Sequence, residues 1–242
     1  MTMGHTARAD IESLLRARKL DVTLTSAVPW TRTLHDPAPA GIGAIDAALG
    51  GGLPRGQLSE IVGPRSSGRT LVCHRVLASA AERGEAVALI DASDRFDPAS
   101  AAAAGVDLTK LLWVRDTGDA ARALKALNLV LQAGGFGIVV LDVADIPSPA
   151  LRRFPHTTWM RIARVIEGSQ TVALLVGGGR TGRSPAGVTI ALDAAPGASR
   201  GRWSGPSDRA RLLAGIDITP RVIGSQLPIP NAQLPRTLDF GV

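Results

Sequence analysis

Val87-Ala88-Leu89-Ile90-Asp91 and Ile138-Val139-Val140-Leu141-Asp142 are near-continuous apolar runs, each ending on an aspartate. Strands buried on both faces of a parallel sheet read this way, with polar groups emerging at the carboxyl edge. Thr171-Val172-Ala173-Leu174-Leu175-Val176 and Val188-Thr189-Ile190-Ala191-Leu192 are two more such runs, and Leu58, Ile61 and Val62 form a shorter one. Helical spacing fills the gaps. Leu71, Val72, Val76 and Leu77 recur at that spacing up to Gly84, a C-cap candidate. Further helices are predicted around Ala99–Ala104, Ala120–Gln132 and Thr158–Glu167. In the last of these Trp159, Ile162, Ala163 and Ile166 make one apolar face, with Arg161 and Arg164 off it. Alternation of this kind predicts an α/β fold, a largely parallel wound sheet flanked by helices.

Outside that alternation the pattern changes. Residues 1–40 carry one amphipathic helix, with Ile11, Leu14 and Leu15 on one face, and a proline-punctuated linker from Pro29 to Pro39. After the core at 41–193, residues 194–223 form a basic extension with Arg200, Arg202, Arg209 and Arg211 around Trp203. Leu212 to Val222 reads as one edge strand, which suits Pro220. From Gly224 the chain is rich in Pro, Gln and Asn and reads as a flexible tail of the kind that docks partners.

Composition narrows the function classes. With 45% hydrophobic and 20% charged residues the chain reads as globular. Cys73 is its only cysteine, which leaves no disulfide framework or zinc site and suits a reducing compartment. No apolar run reaches membrane-spanning length, so the expectation is a cytoplasmic protein without membrane contact. His5, His35, His74 and His156 are isolated, and no Ser/His/Asp or metal constellation surrounds them. The net charge of +6 rests on arginine, since lysine occurs only at Lys19, Lys110 and Lys125. Such a charge favours non-specific contact with nucleic acid and says nothing of fold.

The stretch Gly63-Pro64-Arg65-Ser66-Ser67-Gly68-Arg69-Thr70 lies between a predicted strand and a predicted helix. It fits the phosphate-loop pattern G-x-x-x-x-G-K-[ST] with one change, Arg69 for lysine. In that pattern backbone N–H groups cradle phosphates, the lysine reaches the β and γ oxygens, and the hydroxyl binds Mg2+. The candidate nucleotide-binding residues are Gly63, Ser66, Ser67, Gly68, Arg69 and Thr70, with Asp142 on the Mg2+ side.

Gly41-Ile42-Gly43-Ala44-Ile45-Asp46, Gly50-Gly51-Gly52-Leu53-Pro54-Arg55-Gly56 and Glu60-Ile61-Val62-Gly63-Pro64 strongly resemble the entry to the ATPase core of RecA-type recombinases. The resemblance continues through Leu89-Ile90-Asp91-Ala92, Phe96-Asp97-Pro98, Gly105-Val106-Asp107 and the Asp142 strand, covering roughly residues 40–193. It implies a RecA-like core. It also exposes departures: Arg69 in place of the lysine, Ser93 where that family has its catalytic glutamate, and Gly177-Gly178 where it has an Asn-Gln pair sensing the γ-phosphate. The second DNA-binding loop is shortened to about 181–186. No catalytic residue is therefore expected, and the chain reads as a degenerate ATPase that requires no cofactor and holds ATP and Mg2+ weakly at most.

Arg152-Arg153-Phe154-Pro155-His156-Thr157-Thr158-Trp159, together with Trp203 and Ser207-Asp208-Arg209-Ala210-Arg211-Leu212-Leu213-Ala214-Gly215, resembles the ImuA family, the RecA-like members of bacterial DNA-damage mutagenesis cassettes. That resemblance implies a non-catalytic accessory factor in translesion synthesis. Its implied partners are RecA, an inactive Y-family polymerase relative of the ImuB type, and an error-prone C-family polymerase. Single-stranded DNA is a further partner, for which Arg152, Arg153, Arg180 and Arg183 are the candidate contacts. The alternatives are a DNA-dependent ATPase of the recombinase type and a SulA-type inhibitor of cell division.

Overall fold

The structure is a computed structural model that describes residues 35–193, 201–204, 207, 212–216 and 219–223. The segment around Ile11, Leu14 and Leu15, the residues Arg200, Arg209 and Arg211, and the tail from Gly224 lie outside the described residues.

The apolar runs form strands β1 (Leu58–Val62), β2 (Ala86–Asp91), β4 (Phe136–Asp142), β5 (Val172–Gly177) and β6 (Thr189–Asp193), with β3 (Leu111–Arg115) between the second and third. They stand in the order β3-β2-β4-β5-β1-β6, all parallel, and β9 (Thr219–Ile223) closes the far edge antiparallel to β6. Pro220 lies in that edge strand, where a missing N–H costs no ladder bond on the open side.

Because successive side chains alternate across a strand, the sheet separates two cores. Val87, Leu89, Ile138, Val140, Leu174 and Ile190 face one way, and Val72, Val76 and Leu77 of α2 (Arg69–Glu82) pack on them. Ala88, Ile90, Val139, Leu141, Ala173 and Leu175 face the other, under α4 (Ala120–Ala133) and α6 (His156–Ile166). Each fully buried Leu or Ile contributes about 1.5–3 kcal/mol. α6 buries Trp159, Ile162 and Ile166 and leaves Arg161 and Arg164 exposed, as its spacing predicts.

The helix boundaries follow local chemistry. The Asp97 side chain accepts from the N–H groups of Ala99 and Ser100 to start α3 (Pro98–Ala103), and Asp119 accepts from Ala121 and Arg122 to start α4. Gly84, with φ of +85°, follows α2 as the C-cap expectation requires. Before β1, a short helix α1 (Gly43–Ala48) is pinned by Asp46, whose carboxylate accepts from the N–H groups of Ala40, Gly41 and Ile42.

Three expectations are corrected here. Residues 35–40 are not linker: Ala38 and Ala40 are fully buried, and Ala38 exchanges both backbone bonds with Leu53. The run 212–222 is two strands rather than one: β8 (Leu212–Ile216) pairs with β7 (Gly201–Ser204) in a separate two-stranded sheet, and only β9 joins the main edge. The extension therefore adds a strand to the core, so no boundary at 193 separates the two. Among the described residues no helix is long and apolar enough to cross a membrane.

Candidate nucleotide and nucleic-acid sites

β1 delivers the chain to Gly63 at the carboxyl edge of the sheet, and α2 leaves from Gly68 in the left-handed conformation (φ +90°). A Cβ on Gly63 would stand 2.5 Å from Ser67 Oγ and 2.6 Å from the Leu192 carbonyl oxygen, so the turn closes only without a side chain there. Ser66 also has positive φ (+58°) and is exposed, as is Thr70. The loop thus turns tightly from strand to helix through its two glycines, with the opening N–H groups of a 14-residue helix behind it.

The two side chains inside the cradle are unusual. Ser67 is 2% exposed and Arg69 8%, and neither Ser67 Oγ nor Arg69 Nη1 has a hydrogen-bond partner. Arg69 reaches the end of β5, where a Cβ on Gly178 would lie 3.8 Å from its Nη1. A side chain of glutamine size at 178 would compete with the guanidinium for that space. A Cβ alone at 178 would be in ordinary contact with it.

Asp142 lies at the end of β4, where it accepts from the Ala144 N–H at 2.9 Å. Burial pushes its carboxyl up to about 6, assisted by the negative charges of Asp91 and Asp145 and opposed by that hydrogen bond and by Arg69. Asp91 is fully engaged, accepting from the N–H groups of Ser93, Arg95 and Phe96. Ser93 is half-buried beside it, and Asp94 is clamped by two bonds from Arg115 at 2.7 and 2.8 Å. Those bonds hold the Asp94 carboxyl below its ordinary range, so the carboxylate next to Ser93 is committed to Arg115. The donors fit a phosphate anion, and Thr70 with Asp142 is the pair that would hold a Mg2+ beside it. Such an ion would supply charge neutralisation at the phosphate oxygens.

Arg65, at the outer lip of the loop, donates to Asp145 at 2.8 Å, and Arg95 approaches the same carboxylate at 3.8 Å. Sequence reading gave these two arginines no role. Their signal in the sequence was only positive charge in the loops that follow β1 and β2.

A second concavity of about 450 Å3 lies between the start of α6 and the shortened loop after β5. His156, Met160, Arg180 and Arg183 line it, with Glu60 and Trp159 at its base. Glu60 is 2% exposed and pins the loop, accepting from the N–H groups of Thr181 (2.8 Å) and Gly182 (2.6 Å) and from Thr189 Oγ1 (3.0 Å). Gly182 lies so close to the Trp159 indole that a Cβ there would overlap the ring. Glu60 was missed from the sequence, although an acid within the run Leu58-Ser59-Glu60-Ile61-Val62 was the available sign.

The four arginines expected at DNA separate into two groups. Arg180 is exposed, whereas Arg183 is half-buried and donates through Nη1 to the carbonyls of Ser184, Pro185 and Gly187, which shapes the loop from within. Arg152 and Arg153 are exposed beyond α5 (Ser148–Leu151) and do not line the cavity, although they precede α6 closely in the chain. His156 opens α6 without making a capping bond, since Pro155 is the N-cap and no side chain bonds the helix start.

A wound parallel sheet whose first strand passes through a glycine-bounded loop into a helix, with an aspartate at the end of β4, defines an α/β phosphate-loop protein. Residues 31–151 match the RecA N-terminal domain, and the chain belongs to that family. It is 44% identical over 106 residues to Protein RecA of Symbiobacterium thermophilum, covering 43% of this chain and 30% of that protein. Against Protein RecA of Methylococcus capsulatus the identity is 43% over 116 residues, 47% of this chain and 33% of the relative. Protein RecA of Paenarthrobacter aurescens gives 44% over 114 residues, 46% and 32% respectively. The chain thus matches about a third of the length of these curated relatives.

Proposed function

We propose that this protein is a RecA-related accessory factor that acts on DNA without hydrolysing ATP, in DNA-damage-induced translesion synthesis in the cytoplasm. The DNA-related part of the reading is supported by the family and by relatives named Protein RecA. The translesion part rests on the resemblance to the ImuA family. Its partners in this reading are single-stranded DNA, RecA, an ImuB-type inactive polymerase relative and an error-prone C-family polymerase.

The observation that carries the non-hydrolytic reading is the placement of Arg69. Its guanidinium is buried, with Nη1 within ordinary van der Waals reach of a Cβ placed on Gly178. Arginine is planar and longer than lysine, so it does not reproduce a point charge at the β and γ oxygens. Ser93 offers no general base, a contribution of about 10²–10⁴ in rate, and Asp94 is engaged by Arg115. Glycine at 178 offers no hydrogen bond to a γ-phosphate.

The test is ATP turnover by the purified chain, with and without single-stranded DNA, beside an Arg69→Lys variant. The expected result is no turnover above background in any sample. DNA-stimulated turnover by the native protein would make the recombinase-type ATPase the correct reading. That second reading has its own support in the sequence, where Thr70 follows the loop and Asp142 ends a strand, as the phosphate-loop pattern has its Mg2+-side residues.

A further inference from the structure

We propose that the cavity between α6 and the loop after β5 is a docking site for the chain's own segment Leu238-Asp239-Phe240. Arg180 pairs with the Asp239 carboxylate, and the Phe240 ring sits against Met160, Ala163 and Pro185.

The cavity has an apolar side and a cationic lip. Met160 is 47% exposed and forms the apolar side with half-buried Ala163 and exposed Pro185. Arg180 lines the opening, exposed and without a hydrogen-bond or ion-pair partner among the described residues. Glu60, the carboxylate in the lining, is buried and already accepts three bonds, so it is not available to pair with Arg180. A guanidinium fork matches a free carboxylate, and a thioether packs well on an aromatic ring. Nucleic acid suits the cavity less well. The Trp159 indole is 4% exposed with Gly182 packed on it, so it offers no open face for a base. Arg183 spends Nη1 on carbonyls of its own loop.

The chain leaves the sheet beside this cavity. β9 runs antiparallel to β6, and its last residue, Ile223, stands opposite Thr189 at the end where the 180–188 loop enters β6. Thr189 donates to Glu60 on the neighbouring strand β1. With strands about 4.8 Å apart, Ile223 lies about 10 Å from the backbone at Glu60. Residues 224–242, beyond the described ones, hold a single acid, Asp239, between Leu238 and Phe240, their one aromatic residue. The stretch from 224 to Asp239 spans up to about 50 Å when extended, several times the distance needed. Tethering gives such a segment an effective concentration on the order of millimolar, so modest contacts suffice.

The experiment is NMR of the full chain carrying carbon-13 methyl methionine, which places probes at Met1, Met3 and Met160. Loss of one signal in Met160→Leu assigns the probe in the cavity. A ring seated against the Met160 methyl displaces its signal from the position of an exposed methionine. Phe240→Ala and Phe240→Leu are each expected to return it to that position, while Met1 and Met3 do not move. Arg180→Ala is expected to give the same return, and Phe240→Ala added to it is expected to give no more. Circular dichroism melts establish that Arg180→Ala folds; if it does not, the Phe240 variants decide alone. A Met160 signal that Phe240→Ala leaves in place overturns the proposal, and so does one that a folded Arg180→Ala leaves in place. A native signal that moves on dilution means that a second copy's segment fills the cavity, which overturns docking within the chain. A signal moved by an oligothymidine and by no Phe240 variant overturns it in favour of DNA.

Discussion

Single residues decide how the two concavities are built, and the sequence exposes some of them better than others. Arg69, Ser93 and Gly178 were legible because each stands at a position whose neighbours fit a known pattern. Their spatial relation was not legible, since the contact between 69 and 178 spans most of the sheet in sequence and only the fold closes it. Gly182 makes the same point from the other direction. Nothing local demands glycine there, yet the indole of Trp159 fills the place of its Cβ. Gly182→Ala is expected to overpack that contact and cost about 1–3 kcal/mol, read as a lower denaturation midpoint in urea with an unchanged slope. A variant as stable as the native protein would mean that the loop lifts off Trp159 freely and that Glu60 does not pin it.

At the level of elements, buried strands were read with small errors of boundary, because both faces are apolar and the run is continuous. β3 was overlooked for a physical reason. It is the edge strand at one side of the sheet, and Leu112 is 43% exposed, so it lacks the unbroken apolar signal of its neighbours. The link from β3 to α4 is organised by Asp116, which accepts from the N–H groups of Thr117 and Asp119 and from Arg122 Nε at 2.6 Å. Arg122 holds the Asp116 carboxyl down at about 2, against an ordinary value of 3.8. A depressed carboxylate stabilises the fold above its unfolded value, and that contribution is lost as pH falls from near 4 towards 2. Asp116→Asn should therefore be less stable than the native protein at pH 7. The loss is put at about 1 kcal/mol, a figure reduced for the exposed Arg122 partner. The gap should narrow as the pH is lowered through that window. Chemical denaturation at pH 7 and pH 3 measures it, and an equal gap at both would show that the Arg122 pair contributes nothing.

For the whole molecule, the α/β architecture and the core were legible, whereas the seams were not. Ala38 and Ala40 lie in a stretch that looks like linker by composition and are core by packing, and the 194–223 extension returns a strand to the main sheet. Charge is also a property of the whole chain, and its functional part has to be separated from the rest by experiment. Arg152→Ala with Arg153→Ala should weaken single-strand binding and flatten its dependence on salt by about one unit per lost phosphate contact, read by fluorescence anisotropy on an oligothymidine. An unchanged slope would take that segment out of the DNA surface. Finally, Cys73 lies one turn into α2, a helix that touches β1, β2, β4 and β5, and burial pushes its thiol pKa well above the ordinary value. A protonated, enclosed thiol does not react with alkylating reagents until the helix lifts away. The lone sulfur is thus a built-in clock. Its labelling rate reports how often the floor of the phosphate loop opens, and whether the sheet lets go in pieces or all at once.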